Sequence, residues 1–149
     1  MDEMSEDESK KLLSEAHVGR LAVVDGSFPY VVPVYYVFVD GRSIVLHTGK
    51  SGLKMRCIVE NPNVCFEVDQ YSEDPCGARS ALAFGKARIV EDRNEKTAKL
   101  KALVERYPAH HKSKEELQES LSSEKYYADC VERAAIVSID VERISGRKG

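Results

Sequence analysis

The chain has 149 residues, a length typical of one domain that buries its own core. Hydrophobic residues make up 42% and charged residues 32% of it, which excludes a disordered or low-complexity protein. With 22 basic and 25 acidic residues the net charge is -3, so the basic surface typical of nucleic-acid-binding proteins is not expected.

No apolar run approaches the roughly 20 residues of a membrane-spanning helix. The first ten residues, MDEMSEDESK, are acidic and polar, unlike a signal peptide. We therefore expect a cytoplasmic protein with no membrane contact. A single domain over residues 1–149 is predicted, with residues 1–10 as a flexible N-terminus.

The cysteines predict neither a metal site nor disulfides. Cys57, Cys65, Cys76 and Cys130 include no C-x-x-C pair, whereas zinc sites usually have such short spacings. Cys65 lies in the apolar run NVCFEV and is predicted to be an ordinary buried side chain.

In chain order, the first predicted element is a helix over residues 5–17, with Ser5 or Ser9 as its N-cap. The run RLAVVDG follows from Arg20 and reads as a strand. Residues 29–39, PYVVPVYYVFV, form the next predicted strand. Both of its alternating faces are apolar, so both must be covered, one of them by a barrel interior. Pro33 inside this run predicts an edge, a bulge or a point where the sheet parts.

The remaining elements follow from local signals. Asp40 and Gly41 predict a hairpin turn into the strand SIVLHT. Later elements predicted in the same way are a helix 51–60 with Ser51 as N-cap, a strand 64–68, a loop 69–77 and a strand 78–90 in which Gly85 marks a bulge or a bend. After these come a helix that follows the capping box Asp92–Glu95 and stops at Pro108, a helix from Ser113–Glu116, and a strand 134–141. This order predicts a mainly β, α+β fold, a small antiparallel barrel with peripheral helices.

The segment HTGKSGLK, residues 47–54, is the first candidate site. Two glycines let a ligand approach the backbone, Lys50 and Lys54 supply positive charge, and Thr48 and Ser51 supply hydroxyls at a predicted helix N-terminus. Such a combination suits a phosphate group. The alternative is a capped helix with solvated lysines. His47, at the end of the preceding strand, is compatible with either a structural or a functional role.

Other side chains are weaker candidates. Arg79 and Ser80 open the long strand, where an exposed arginine is common. Four tyrosines could stack on a planar cofactor or belong to a core or interface, namely Tyr35, Tyr36, Tyr126 and Tyr127. His110 and His111 are interpreted as surface residues. The sequence contains no H-E-x-x-H, G-x-S-x-G or G-x-G-x-x-G motif, so zincin, hydrolase and Rossmann functions have no support.

Four segments carry a family resemblance: LLSEAHVGRLAVVDG, the run from PYVVPVYYVFVDG to ENPNVCFEVD, SALAFGKARIVED, and VSIDVERISGRK. Over residues 12–147 they resemble the FMN-binding split-barrel proteins related to pyridoxamine 5′-phosphate oxidase, and most closely the branch of nitroimidazole resistance proteins. The resemblance implies a six-stranded split barrel that forms a homodimer, with one FMN at each end of the interface.

The resemblance also implies site residues. The strand segment along the flavin falls on Val32, Pro33, Val34 and Tyr35, and a pair at the end of the next strand falls on His47 and Thr48. A Ser-Arg-Lys phosphate clamp falls on Gly52, Leu53 and Lys54, so only the lysine remains, and Lys50 and Ser51 are expected to substitute. The second subunit is expected to contribute Arg79 and Ser80, and His47 is the counterpart of a histidine with a functional role near the flavin.

The implied activity is FMN-dependent transfer of electrons from NADH or NADPH to a small acceptor such as a nitro compound or a quinone. The chain contains no Trp, whereas the oxidases use one to bind pyridoxal phosphate, so oxidation of vitamin B6 is not expected. Two alternatives stay open: a non-catalytic flavin or haem carrier, and a reductase of the same fold that uses deazaflavin F420.

Overall fold

Strand-forming residues dominate the chain, and they build an antiparallel sheet that curls into a half-barrel in the computed structural model, which describes residues 2–107 and 132–149. The strands are β1 Asp2–Glu3, β2 Val18–Asp25, β3 Phe28–Tyr35, β4 Val37–Val39, β5 Ser43–Thr48, β6 Asn63–Gln70, β7 Arg79–Ile89 and β8 Ala135–Lys148. The α-helices are α1 Glu6–Glu15, α2 Leu53–Glu60 and α3 Arg93–Arg106. The predicted split-barrel class with peripheral helices is confirmed.

The strand order explains why the barrel is split. Within the described residues the order is β3-β2-β6-β7-β8-β5-β4, and β1 adds to β8. The end strands β3 and β4 are consecutive in the chain and only Tyr36 separates them. The predicted strand 29–39 is therefore two strands, and the sheet parts at Tyr36 rather than at Pro33. Pro33 lies within the end strand β3, where the missing N–H is tolerated.

Tyr36 is held at this break by hydrogen bonds from two helices. Its side chain is 1% exposed, and its hydroxyl donates to the carbonyl oxygen of Leu13 in the last turn of α1. Its backbone N–H donates to the hydroxyl oxygen of Tyr107, which in turn lies 2.6 Å from the Tyr36 carbonyl oxygen. Burial raises the pKa of the Tyr36 phenol above its usual range, so the hydroxyl stays protonated.

The long strands β7 and β8 meet at a predicted irregularity. Phe84 pairs with Arg143 but Gly85 pairs with Val141, so β8 carries one extra residue at this point. A Cβ atom on Gly85 would lie 2.2 Å from the carbonyl oxygen of Asp140. The bulge or bend predicted at Gly85 is thus confirmed, with the extra residue on β8, and glycine is required because two backbones approach closely there.

Two expectations about the chain termini were wrong. Residues 2–10 are not a flexible segment, because β1 pairs with β8 and Met4 is buried against Gly146. The last strand does not end at residue 141 but continues to Lys148, because the first half of β7 needs a pairing partner.

The helix starts were predicted with mixed success. Ser5 caps α1 and Asp92 caps α3, each accepting a hydrogen bond from a backbone N–H three residues later. Ser51 was wrongly predicted as the cap of α2. Gly52 takes that position with φ 121°, a conformation that a residue with a side chain rarely adopts.

Several sequence predictions fall outside the described residues. They concern the stop at Pro108, the helix from Ser113–Glu116, and the side chains of His110, His111, Tyr126, Tyr127 and Cys130. Among the described cysteines, Cys65 is half-buried and Cys57 is the fully buried one, so the burial predicted for Cys65 was wrong in degree.

Tyr36→Phe tests the hydrogen bond at the split. We expect the free energy of unfolding to fall by about 1–3 kcal/mol, because the Leu13 carbonyl would lose its partner in a buried position. Urea unfolding measures this loss. Tyr30→Phe is the control, since it removes the same hydroxyl from a half-buried tyrosine of β3. Equal losses in the two variants would show that the Tyr36 hydroxyl has no special role.

Candidate functional site

A cavity lies where β5 ends and the chain turns into α2. Its volume is about 530 Å³, and its lining residues are His47, Thr48, Gly49, Lys54, Leu100, Arg133 and Ala134. Strand β5 and α2 thus form one wall, and α3 with the segment before β8 forms the other. The structure brings together three residues that the resemblance implied, His47, Thr48 and Lys54.

The cavity is electropositive. None of its described lining residues is acidic. The pKa of His47 is lowered, first by partial burial and then by the positive charge of Lys54. The pKa of Lys96 on α3 is lowered by burial and by the charge of Lys50. His47 is therefore a neutral imidazole at neutral pH, and the Lys54 side chain of the lining places positive charge beside it.

The N-terminus of α2 adds backbone donors to this charge. Gly52 caps the helix without a side-chain hydrogen bond, and the first turn contains no acidic residue. The first backbone N–H groups of a helix have no partner within the helix and carry its positive dipole end. Lys54 lies in the same turn. The combination of free N–H groups and a lysine is the chemistry that binds a phosphate group.

The residues predicted along β3 divide between its two faces. Val32 and Val34 pack against the core, whereas Pro33 and Tyr35 are exposed. Val31, on the same face as Pro33, is 58% exposed. The expectation that both faces must be covered is met on the inner face by the barrel interior. In the described residues the outer face stays open.

Helix α3 connects Tyr35 with the cavity. The ring of Tyr107, at the end of the helix, lies 5.2 Å from the ring of Tyr35, centroid to centroid. Leu100, which lines the cavity, is two turns earlier, a distance of roughly 10 Å at 1.5 Å per residue. The last two turns of α3 therefore extend from the cavity to Tyr35.

Arg79 and Ser80 lie far from the cavity along the sheet. Arg79 pairs with Lys148, whereas His47 pairs with Ile136, so nearly the whole of β8 separates them, a path of roughly 40 Å at about 3.3 Å per residue. Ser80 donates a hydrogen bond to Glu67 Oε1 at 3.0 Å, and Arg79 donates one to Gln70 Oε1. As neighbours on a strand, the two side chains leave opposite faces.

Sequence analysis missed part of the cavity. Leu100 lies on α3, a helix that the sequence predicted without indicating that it contributes to the cavity. Arg133 carried no signal, because only the fold brings the segment before β8 next to β5.

Residues 2–107 and 132–149 contain neither a metal-binding cluster nor a membrane-spanning helix. No three His, Cys, Asp or Glu side chains come together in a group that could hold a metal ion. No helix there has the length and apolar character needed to cross a membrane.

The sequence matches one family model. The model described as pyridoxamine 5′-phosphate oxidase matches residues 5–148. A search of the curated proteins finds no significant match.

Solved structures share the fold. An FAD-binding protein from Mesorhizobium loti has a TM-score of 0.75 at 22% identity, over 99% of this chain and 97% of its own. A protein from Bacteroides thetaiotaomicron, described as concerned with 5-nitroimidazole antibiotic resistance, has a TM-score of 0.77 at 21% identity, over 97% and 85% of the two chains. A flavocytochrome from Azotobacter vinelandii has a TM-score of 0.76 at 19% identity, over 97% and 67%. At these identities the likeness concerns the fold.

The charge coupling in the cavity is testable by titration. Because Lys54 helps to lower the pKa of His47, Lys54→Ala should raise that pKa toward the ordinary value of about 6.5. NMR titration of the imidazole Cε1–H signal, assigned with His47→Gln, measures the shift. Lys11→Ala, a change of an exposed lysine on α1, should leave the pKa unaltered. A His47 pKa that is equal in both lysine variants would contradict the coupling.

The same coupling sets a pH dependence of stability. Since the folded-state pKa of His47 lies below its unfolded value, the unfolded chain binds the proton more readily. His47 therefore reduces stability as the pH falls below about 6.5. This acid-induced loss should be smaller in Lys54→Ala than in Lys11→Ala.

Proposed function

The chain belongs to the pyridoxamine 5′-phosphate oxidase family, and on that basis we propose that it is an FMN-dependent oxidoreductase. It would pass electrons from NADH or NADPH to a small acceptor such as a nitro compound or a quinone. The observation that carries the proposal is the electropositive cavity at the end of β5, with Lys54 of the first turn of α2 in its wall and no side-chain hydrogen bond capping that turn.

The donor set fits a flavin mononucleotide. A phosphate would lie at the first turn of α2, where Lys54 and backbone N–H groups offer charge-assisted hydrogen bonds and Lys50 adds charge. The isoalloxazine ring would lie along β3, an end strand whose outer edge can offer backbone N–H and C=O groups to the ring. Val32, Pro33, Val34 and Tyr35 are the contacts expected there. Ser51 is exposed and can turn its hydroxyl to the phosphate.

The bound flavin would supply the redox chemistry, and the protein would bind and orient it. His47 is the residue we propose for proton handling. Its lowered pKa keeps the imidazole uncharged at neutral pH, so it can act as a proton acceptor. Lysines of the cavity would favour the negative charge of a reduced flavin. Thr48, next to His47, adds a hydroxyl at the same strand end.

We further propose that the protein is a homodimer with each flavin site shared between two chains. The outer face of β3 supports this, because Val31 and Tyr35 on it are 58% and 50% exposed, and exposed apolar clusters mark interfaces. The positions of Arg79 and Ser80 support it as well. Since β8 separates them from the His47 cavity of their own chain, they would reach a flavin held by the partner subunit.

Two other functions compete with this one. Some proteins of the same fold bind haem, among them a heme-binding protein from Mycobacterium smegmatis. A deazaflavin-dependent reductase is the second competitor. An absorbance spectrum of the purified protein separates haem from flavin, because only haem gives a Soret band. Bleaching of the bound flavin by NADH or NADPH supports the proposed donor, whereas reduction by reduced F420 alone supports the deazaflavin reading.

Lys54→Ala tests the phosphate site. FMN affinity should fall about tenfold or more, because a hydrogen bond to a charged group contributes roughly 1.5–3 kcal/mol. Titration of FMN fluorescence and retention of FMN through gel filtration measure this. Lys11→Ala is the control and should bind FMN like the unaltered protein. An affinity unchanged in Lys54→Ala places the phosphate elsewhere.

Mixed dimers test whether the site is shared. Lys54→Ala and Arg79→Ala should each lose FMN, and the two are then unfolded and refolded together. In a mixed dimer one site carries both defects and the other carries neither. With random pairing into stable dimers, about a quarter of all sites should regain FMN. The shared-site proposal is falsified if no site recovers while both variants stay dimeric.

A further inference from the structure

We propose that Glu67 is a positioning residue of the flavin site. It accepts a hydrogen bond from the Ser80 hydroxyl, so that Ser80 contacts the ligand as a hydrogen-bond acceptor. This inference rests on the proposed function, which places Ser80 against the flavin of the partner subunit. It adds a residue that neither the motifs nor the resemblance indicated.

The contacts of Glu67 carry the proposal. Ser80 Oγ donates to Glu67 Oε1 at 3.0 Å. The second carboxylate oxygen, Oε2, lies 3.7 Å from Arg20 Nη1, which makes its shorter contact, 3.1 Å, with Asp69 Oδ1. The Ser80 hydroxyl is therefore the one close hydrogen-bond donor to Glu67 among these contacts. Arg20 forms its closer ion pair with Asp69.

Strand register places this group on the open face of the sheet. Pro33 pairs with Arg20, Arg20 with Glu67, and Asp69 with Ser80. Directly opposed residues share a face, so the group lies on the face that carries the exposed residues of β3. The Glu67 side chain is 27% exposed. The hydrogen bond is thus half-buried at the surface that the proposed partner subunit would cover.

Hydroxyl chemistry then decides what Ser80 can recognise. A serine hydroxyl has one proton to donate and two lone pairs to accept with, whereas an ionised carboxylate can only accept. While the Ser80 hydroxyl donates its hydrogen bond to Glu67, it can offer a ligand only its lone pairs. The group that it contacts must therefore be an N–H or O–H donor, such as the N3–H of a flavin ring or a ribityl hydroxyl.

The pKa of the Glu67 carboxyl lies above its ordinary value, and several neighbours contribute to this. Burial raises the pKa of the Glu67 carboxyl and so does neighbouring Asp69, while the Ser80 hydrogen bond and the Arg20 charge lower it. Removing the Ser80 hydroxyl should therefore raise the pKa of Glu67 in the protein without any ligand. This shift reports the hydrogen bond itself, independently of flavin.

The test compares Glu67→Leu, Glu67→Gln, Ser80→Ala and the double variant Glu67→Leu with Ser80→Ala, using FMN as the probe. Glu67→Leu should weaken FMN binding several-fold. Glu67→Gln should restore it to within about twofold, because the amide oxygen still accepts from Ser80. The double variant should bind like Ser80→Ala alone, since Glu67 acts through that hydroxyl. Urea unfolding checks that every variant is folded.

Each result distinguishes one explanation. If Glu67→Gln weakens FMN binding as much as Glu67→Leu, the ion pair with Arg20 is what matters, and the proposal is wrong. Additive losses in the double variant overturn it too, because Glu67 then acts independently of Ser80. If Ser80→Ala weakens FMN binding and Glu67→Leu does not, the positioning role of Glu67 is wrong, while the contact between Ser80 and the flavin stands. A wild-type protein that binds no FMN overturns the proposed function and this inference together.

A second measurement avoids changing Glu67. The pKa of its carboxyl, followed by carbon NMR in the flavin-free protein, should be higher in Ser80→Ala than in the wild type. An unchanged pKa shows that the hydrogen bond is absent in solution and overturns the proposal. This readout stays decisive if Glu67→Leu fails to fold.

Discussion

The hydrogen bonds of Tyr36 stabilise the point where the two end strands of the sheet, β3 and β4, meet in the chain. The chain leaves its pairing with β2 at Tyr35 and takes up pairing with β5 at Val37, so the backbone of Tyr36 belongs to neither ladder. A buried backbone without partners is costly, and the hydroxyl of Tyr107 supplies both of them. Because Tyr107 ends α3, the helix that forms one wall of the cavity is fixed to the split. The position of the candidate site thus depends on this contact.

Local signals predicted most elements because they act over a few residues. The Asp40–Gly41 turn depends on the positive φ of two residues, and the caps at Ser5 and Asp92 depend on a hydrogen bond to a backbone N–H three residues later. The predicted N-cap of α2 was wrong because two adjacent residues, Ser51 and Gly52, could both take that position. A side-chain hydrogen bond favours serine there, but the backbone required a positive φ.

Long-range pairing is what sequence reasoning could not supply. The last seven residues of β8 include Ser145 and Gly146, which are typical of a loop, yet they form a strand because the first half of β7 lies beside them. For the same reason Arg133 gave no indication of its place in the cavity, and Glu67 gave none of its contact with Ser80. The family resemblance indicated His47 and Lys54, and the fold explains why they lie together.

The open edge of β3 has a consequence for the protein before anything covers it. Among the described residues only β2 pairs with β3. An edge strand with exposed apolar side chains such as Phe28 and Val31 is a template for strand addition by another chain, the first step of aggregation. Pro29 and Pro33 interrupt that template, because each removes one N–H donor from the strand. The two prolines among the eight residues of β3 therefore make indiscriminate β-pairing less favourable, while the apolar side chains of its outer face remain exposed.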